Sequence, residues 1–408
     1  MTRSFERAVN IGDLRRCAQK RLPAFSFDYI DGAAEDEISL ADNRRVFEDL
    51  RIIPRQLTGG DEADPSATLF GRTWSFPLAV APTGYNGLLW RNGDIALARE
   101  AAMAGLIFTQ STMSSSSVEE VSGAVPGLRH WFQLYVLKDR GATRSLIERA
   151  DEAGCEALVV TTDVAALGNR ERDRRHFVHP QVLSLSAKLD VLRRPRWWMN
   201  VALPNGLPDF GNLRAFLPKG AGALDGASYI AREMRGALTL KDIEWLRENW
   251  PRRLVVKGLL HPEEVADVAR LGADGVVVSN HGGRQLDGAP SPMRVLDQIR
   301  SCVRGDCVLI VDSGIRRGSD ILKALARGAD GVLAGRALLY GLAAGGADGV
   351  RHAIGILKAE LTRAMVLSGT SSIADVDAGL LLDSDGFIPP GAARRRNITP
   401  IMRAGGEG

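Results

Sequence analysis

The 408-residue chain is poor in cysteine, in net charge and in long apolar runs, and each shortage removes a class of function. Its four cysteines, Cys17, Cys155, Cys302 and Cys307, include no Cys-x-x-Cys pair, so neither a zinc site nor a disulfide framework is expected. Cys302 and Cys307 stand around a short apolar run and read as packing residues, and a reducing, cytoplasm-facing compartment is the default. The formal net charge of +3 is small for this length and leaves no basic stripe, which argues against a nucleic-acid partner. No stretch approaches about 18 uninterrupted apolar residues, and the opening MTRSFERAVNIGDL has no apolar run behind its charges. Neither a spanning helix nor a signal peptide is expected, and any membrane contact would be peripheral, from the cytoplasmic face. Also missing is a G-x-G-x-x-G after an early strand, which weakens the case for an open dinucleotide-binding sheet.

What the chain does have is eight short apolar, β-branched runs: FPLAVAP (76–82), LIFTQ (106–110), HWFQLYV (130–136), ALVVTTD (157–163), LVVKG (254–258), GVVVS (275–279), CVLIVD (307–312) and GVLAG (331–335). Continuous rather than alternating apolar character marks parallel strands covered on both faces. Helical patterns such as RNGDIALAREAAMAG, DRGATRSLIERADEAG, HPEEVADVARLG and RRGSDILKALARG lie between them, several closing on a glycine as C-caps do. Eight such units predict an α/β fold, the (β/α)₈ TIM barrel, with an N-terminal helical extension. The domain reading is one barrel over 1–385 and a flexible basic tail, carrying ARRRN, over 386–408. Some ninety residues separate the fourth and fifth strands, far more than one crossover helix needs, so an insertion is expected at about 183–235. There Arg193, Arg194 and Arg196 sit beside Trp197, Trp198 and Met199, a mixture that suits a lipid headgroup interface and equally a lid or an oligomer contact.

In such a barrel the C-terminal ends of all strands converge on one mouth. The residues placed there are Pro82, Thr83 and Gly84, Ser111, Gln133 with Tyr135, Thr161 with Asp163, Lys257, Ser279 with His281 and Arg284, Asp312 with Gly314 and Arg316, and Gly335 with Arg336. The glycines after the last two strands, with Arg316 and Arg336, are where a phosphate would be held. Each element alone has a plainer reading: a structural histidine, turn glycines, a Lys257 that merely pairs with a carboxylate. Their joint placement points instead to a phosphate-bearing cofactor and to proton abstraction by His281. His176 and His179, three apart with no third ligand, read as solvated residues, and no metal is expected.

The segments SNHGGRQLDG, VDSGIRRGSDILKALARGAD with AGRALLYGLA, WFQLYV, TTDV and FDYIDGAAEDE together resemble the FMN-dependent L-2-hydroxy acid oxidase/dehydrogenase family, over about residues 8 to 370. PTGYNGLLWRNGDIALARE, TTDVAALGNRERD and SPMRVL are similar to its (S)-mandelate-oxidizing branch. The resemblance implies non-covalent FMN, with His281 as the active-site base and Asp163 orienting it. It implies that Arg284, Tyr29 and Arg170 bind the substrate carboxylate, and that Tyr135 bonds the substrate hydroxyl. Lys257 would lie by the flavin N1 and C2 carbonyl; Pro82, Thr83 and Gly84 along the ring; and Ser111, Gln133, Thr161 and Ser279 on its edge and ribityl chain. Asp312 would take ribityl hydroxyls, and Gly314, Arg316, Gly335 and Arg336 the phosphate. Gly84, and Met113 where related enzymes carry a bulkier aromatic, imply an aryl 2-hydroxy acid such as mandelate and an acceptor other than oxygen. A quinone at the membrane is expected, with a soluble, peroxide-forming oxidase as the alternative, and the resemblance implies a homotetramer. Whether the α-hydrogen leaves as proton or hydride stays open.

Overall fold

All eight apolar runs form strands in the computed structural model, which describes residues 4–179, 182–203, 206–218, 223–303 and 307–382. They are β1 (Leu78–Val80), β2 (Ile107–Ser111), β3 (His130–Leu134), β4 (Ala157–Thr161), β5 (Arg253–Leu259), β6 (Gly275–Val278), β7 (Val308–Val311) and β8 (Gly331–Ala334). Every neighbouring pair is parallel, and β8 pairs with β1 to close the barrel. The reason the sequence pattern does not alternate is visible in the packing. Ala79, Ile107, Trp131, Val159, Val255, Val277, Ile310 and Leu333 point inward, while neighbours such as Val80, Phe108, Phe132, Val160, Val256, Val276 and Leu309 pack in the larger core with the helices. Both faces are dry, so both are apolar.

Three helices precede the barrel: α1 (Ile11–Arg21), α2 (Ala24–Asp31) and α3 (Ile38–Asp49). A hairpin of Ala67–Leu69 and Arg72–Trp74 then plugs the N-terminal end of the barrel, Trp74 meeting Trp131 edge-on. The crossover helices are α4 (Gly93–Met103), α5 (Val118–Ala124) and α6 (Arg140–Glu152) in the first half of the barrel. Between β4 and β5 come α7 (Glu171–Arg174), α8 (Leu185–Leu192), α9 (Pro195–Val201), α10 (Ala223–Glu233) and α11 (Leu240–Asn249). Then follow α12 (Pro262–Arg270), α13 (Pro292–Cys302), α14 (Gly318–Ala326) and the long α15 (Arg336–Ser368). Nothing is described of residues 386–408, where the basic tail was expected.

The inserted chain is fastened to the barrel at several points. Trp197 of α9 is buried, donates from Nε1 to the Leu88 carbonyl at 2.8 Å and meets Phe25 edge-on. At the end of α10, Lys138 N donates to Glu233 O and Arg235 N to Val136 O, tying the helix to the segment after β3. α8 contributes the opposite character: Leu185, Leu189 and Leu192, at i, i+4 and i+7, are 79%, 56% and 70% exposed. No described helix is long and apolar enough to cross a membrane.

Candidate active site

The valine run of β6 ends in a turn that few sequences can make. His281, Gly282 and Gly283 all have left-handed backbone, with φ of 57°, 67° and 76°. The glycines adopt it freely, whereas a histidine there is strained and must be held. Backbone N–H groups of His281 and Gly282 donate to Ser279 Oγ and Ser313 Oγ, each at 3.0 Å, and that of Gly283 to Asn280 Oδ1 at 3.1 Å. The Asn280 amide is in turn paired with Asn43 of α3, each donating to the other at 2.9 Å, both side chains buried. A Cβ on Gly283 would stand 2.8 Å from Leu40 N, so α3 lies directly against the turn.

Held this way, the imidazole has its Nδ1 2.9 Å from Asp163 Oδ1. A carboxylate on Nδ1 fixes that nitrogen as the N–H and leaves Nε2 as the basic atom. Burial alone would raise the Asp163 carboxyl, but the charge and hydrogen bond of His281, with Lys257 further off, bring it below its ordinary value. Room for Asp163 comes from Gly258, at φ 106°, where a Cβ would fall 2.7 Å from the carboxyl carbon. The β5–β6 register shifts between Lys257 and Leu259, beside that glycine. Lys257, buried, donates to Ser279 Oγ at 2.7 Å and lies 3.1 Å from Asp312 Oδ2. The plain reading of this lysine, an ion pair with a carboxylate, is thus also true.

Around the other half of the mouth, polar side chains run in a row. Ser111 donates to Gln133 Oε1 at 3.0 Å, and Gln133 Nε2 donates to Thr161 Oγ1 at 2.9 Å. Thr83 is bonded to Asn86, and the Tyr29 hydroxyl donates to the Gly84 carbonyl at 3.2 Å. A Cβ on Gly84 would approach Met113 Cβ to 2.8 Å, so this position is glycine for steric reasons as well. The Tyr135 phenol is pushed up by burial and by the Asp163 charge.

One cavity of about 440 Å³ joins these groups. Tyr29, Pro82, Thr83, Gly84, Ser111, Gln133, Tyr135, Thr161, Arg170, Lys257, His281, Arg284, Asp312, Gly314, Arg316, Gly335 and Arg336 all line it. Asp163 and Ser279 do not line it but are bonded to His281 and Lys257, which do. Sequence reasoning missed Ser313, whose hydroxyl links Asp312 to the Gly282 N–H, and the apolar wall of Tyr85, Val164, Leu167, Phe210, Ile230 and Met234. Ser313 stood between two predicted residues and was legible; Phe210, Ile230 and Met234 come from the insertion, where no pattern marks an inward face. His176 corrects the sequence reading: it is not solvated but bonded through Nε2 to Asp28 at 2.7 Å, because α7 packs against α2. No cluster that could hold a metal occurs among the described residues.

Residues 18–383 match the family model described as FMN-dependent dehydrogenase. The chain belongs to the FMN-dependent dehydrogenase family. An L-lactate dehydrogenase of Xanthomonas campestris pv. campestris (strain 8004) is 42% identical over 369 residues, covering 90% of this chain and 95% of the other. The solved structure of a monotopic membrane protein, (S)-mandelate dehydrogenase, is 41% identical with a TM-score of 0.88, covering 92% of this chain and all of that one. A mandelate oxidase is 38% identical with a TM-score of 0.77, over 90% and 97% of the two chains. The fold and the dependence on FMN are those expected from the sequence.

The cavity fits the cofactor of the FMN-dependent dehydrogenases. Burial and repulsion from Arg170 and Arg336 bring the Arg284 guanidinium down to about 9, and Arg336 is lowered by burial, with Arg316 repelling it. Buried cations repelling one another create a site that anions stabilise. Gly335, the residue before α15, offers no side-chain cap, whereas the N–H groups leading into α14 are taken, those of Arg316 and Arg317 by Asp320 and that of Gly318 by Glu360. An open N-terminus beside Arg316 and Arg336 suits a phosphate.

Proposed function

We propose that the protein oxidizes an (S)-2-hydroxy acid with a large apolar substituent, mandelate or a close relative, to the 2-keto acid. The observation that carries this reading is the apolar wall. Tyr85, Met113, Val164, Leu167, Phe210 and Met234 line the same cavity as the cations and the histidine, and Tyr85 and Phe210 pack with ring centroids 4.9 Å apart. An aryl group gains by leaving water for such a wall, at about 25 cal/mol per Å² buried, whereas a methyl group fills little of it. In this reading Arg284, Arg170 and the Tyr29 hydroxyl hold the carboxylate, and Tyr135 orients the substrate hydroxyl. His281, its Nδ1–H directed at Asp163, takes a proton on Nε2, and the Asp163 carboxylate stabilises the imidazolium. FMN, when bound, accepts the two electrons. Lys257 supplies positive charge to the ring; Pro82, Thr83, Gly84, Ser111, Gln133, Thr161, Ser279 and Asp312 hold ring and ribityl chain; Gly314, Arg316, Gly335 and Arg336 hold the phosphate.

The acceptor we propose is a membrane quinone, reached by peripheral attachment. The support is the exposed leucine stripe of α8 beside Lys188, Arg193 and Arg196, a face suited to anionic lipid, together with the membrane association of the (S)-mandelate dehydrogenase. The 42% identity to an L-lactate dehydrogenase makes L-lactate the competing substrate. The test is anaerobic mixing of the FMN-loaded protein with (S)-mandelate, (R)-mandelate, L-lactate and glycolate, followed by air. Rapid bleaching by (S)-mandelate and slow recovery in air are expected. Faster bleaching by L-lactate moves the substrate, and fast recovery with peroxide moves the acceptor to oxygen.

A further inference from the structure

The carboxylate of Asp173 has no use in the reaction above and does not itself line the cavity, yet it stands beside Arg170, which does. It follows Arg170 by three residues on α7, and its Oδ2 is 3.8 Å from Arg170 Nη1, too long for a hydrogen bond. Its Oδ1 is buried with no hydrogen-bond partner among the described residues. The other arginines nearby in sequence are committed elsewhere: Arg172 bonds Asp28 at 2.6 Å and Asp31 at 3.1 Å, Arg174 bonds Asn169 at 2.7 Å and Arg175 bonds Glu171 at 2.8 Å. Burial pushes the Asp173 carboxyl up from its ordinary value, with Arg284 and Arg170 opposing the rise and Asp28 adding to it. Asp173 also acts on Tyr29, whose phenol it helps to raise. A partly buried carboxylate with one buried, orphaned oxygen, loosely paired to a cation that lines the cavity, is an unfavourable arrangement unless something else gains from it.

We propose that Asp173 is an internal competitor for the substrate carboxylate, pairing with Arg170 until a 2-hydroxy acid binds and keeping the site's affinity for carboxylates below what Arg170, Arg284 and Tyr29 alone would give. The gain lies with the product, which carries the same carboxylate and must leave. This rests on the assignment of Arg170, Arg284 and Tyr29 to the substrate carboxylate. The probe is phenylacetate, which has the aryl group and the carboxylate but no hydroxyl to oxidize, and its binding to the FMN-loaded protein is read by calorimetry. Asp173→Asn should bind phenylacetate about tenfold more tightly than the unaltered protein, a change of about 1.4 kcal/mol. In an Arg170→Met background the same substitution should change the affinity less than twofold, because the pairing it relieves is already gone. Weaker or equal binding by Asp173→Asn, with FMN retained, overturns the proposal and makes Asp173 a support for α7. An effect of the same size in both backgrounds also overturns it. Arg284→Met separates the two readings: if it leaves phenylacetate affinity unchanged, the assignment of the carboxylate site itself fails, whatever Asp173 does.

Discussion

At the scale of the residue, the site is a set of groups each held by a partner of its own. His281→Ala should leave FMN binding intact and lower turnover by a factor on the order of 10³, within the range for loss of a general base, as steady-state rates on the loaded protein would show. Retention of more than a tenth of the rate would remove His281 from the reaction. Arg284→Lys keeps the charge but loses the planar fork, and a KM raised about tenfold with less change in kcat is expected. The residues at strand ends were legible because each stands directly after a run of buried apolar residues, where a polar side chain has no packing reason to be. Asn43 was not legible. Nothing in ADNRRVFED distinguishes an asparagine facing solvent from one paired with Asn280, 237 residues away.

The elements divide in the same way. Strand identity could be read because parallel strands dry on both faces give an unbroken apolar signal, and all eight positions held with ends moved by a residue or two. The insertion gave no comparable signal, since its helices are short and its apolar residues face three ways: into the mouth, onto the barrel and outward. Trp197 and Leu189 look alike in sequence, yet one is buried and the other is not. The outward face carries a prediction of its own. Replacing Leu185, Leu189 and Leu192 together by glutamine should release the protein from anionic vesicles in a sedimentation assay while leaving turnover with a soluble dye within about twofold, because these side chains form no part of the core. Unchanged sedimentation would assign the stripe to another partner.

Across the whole molecule, distant parts of the chain meet at Asp31. Its carboxylate accepts from Arg15 of α1 at 2.6 and 2.7 Å, from Arg172 of α7 at 3.1 Å and from the Tyr340 hydroxyl of α15 at 2.8 Å. Burial raises the Asp31 carboxyl, but the bonds from Arg15 and Tyr340 outweigh it and hold it at about 2, below the ordinary 3.8. A group lowered on folding stabilises the fold above its unfolded value and loses that contribution as pH falls through the folded one. Stability should therefore decline between about pH 4 and pH 2, by on the order of 2 kcal/mol from this group. Asp31→Asn should remove that part of the acid limb in denaturant titrations and weaken the protein at neutral pH; an unaltered acid limb would show that the junction contributes nothing.

The His-Gly-Gly turn at the end of β6 has a consequence for protein engineering. The geometry of its histidine is written partly in α3, so the five residues Ser279–Gly283 are not a portable module. Grafted onto another eight-stranded barrel, they would carry the imidazole without the asparagine and helix backbone that keep it left-handed, and the ring would relax out of register with its carboxylate. The smallest transferable unit is the turn together with a helix encoded some 240 residues before it.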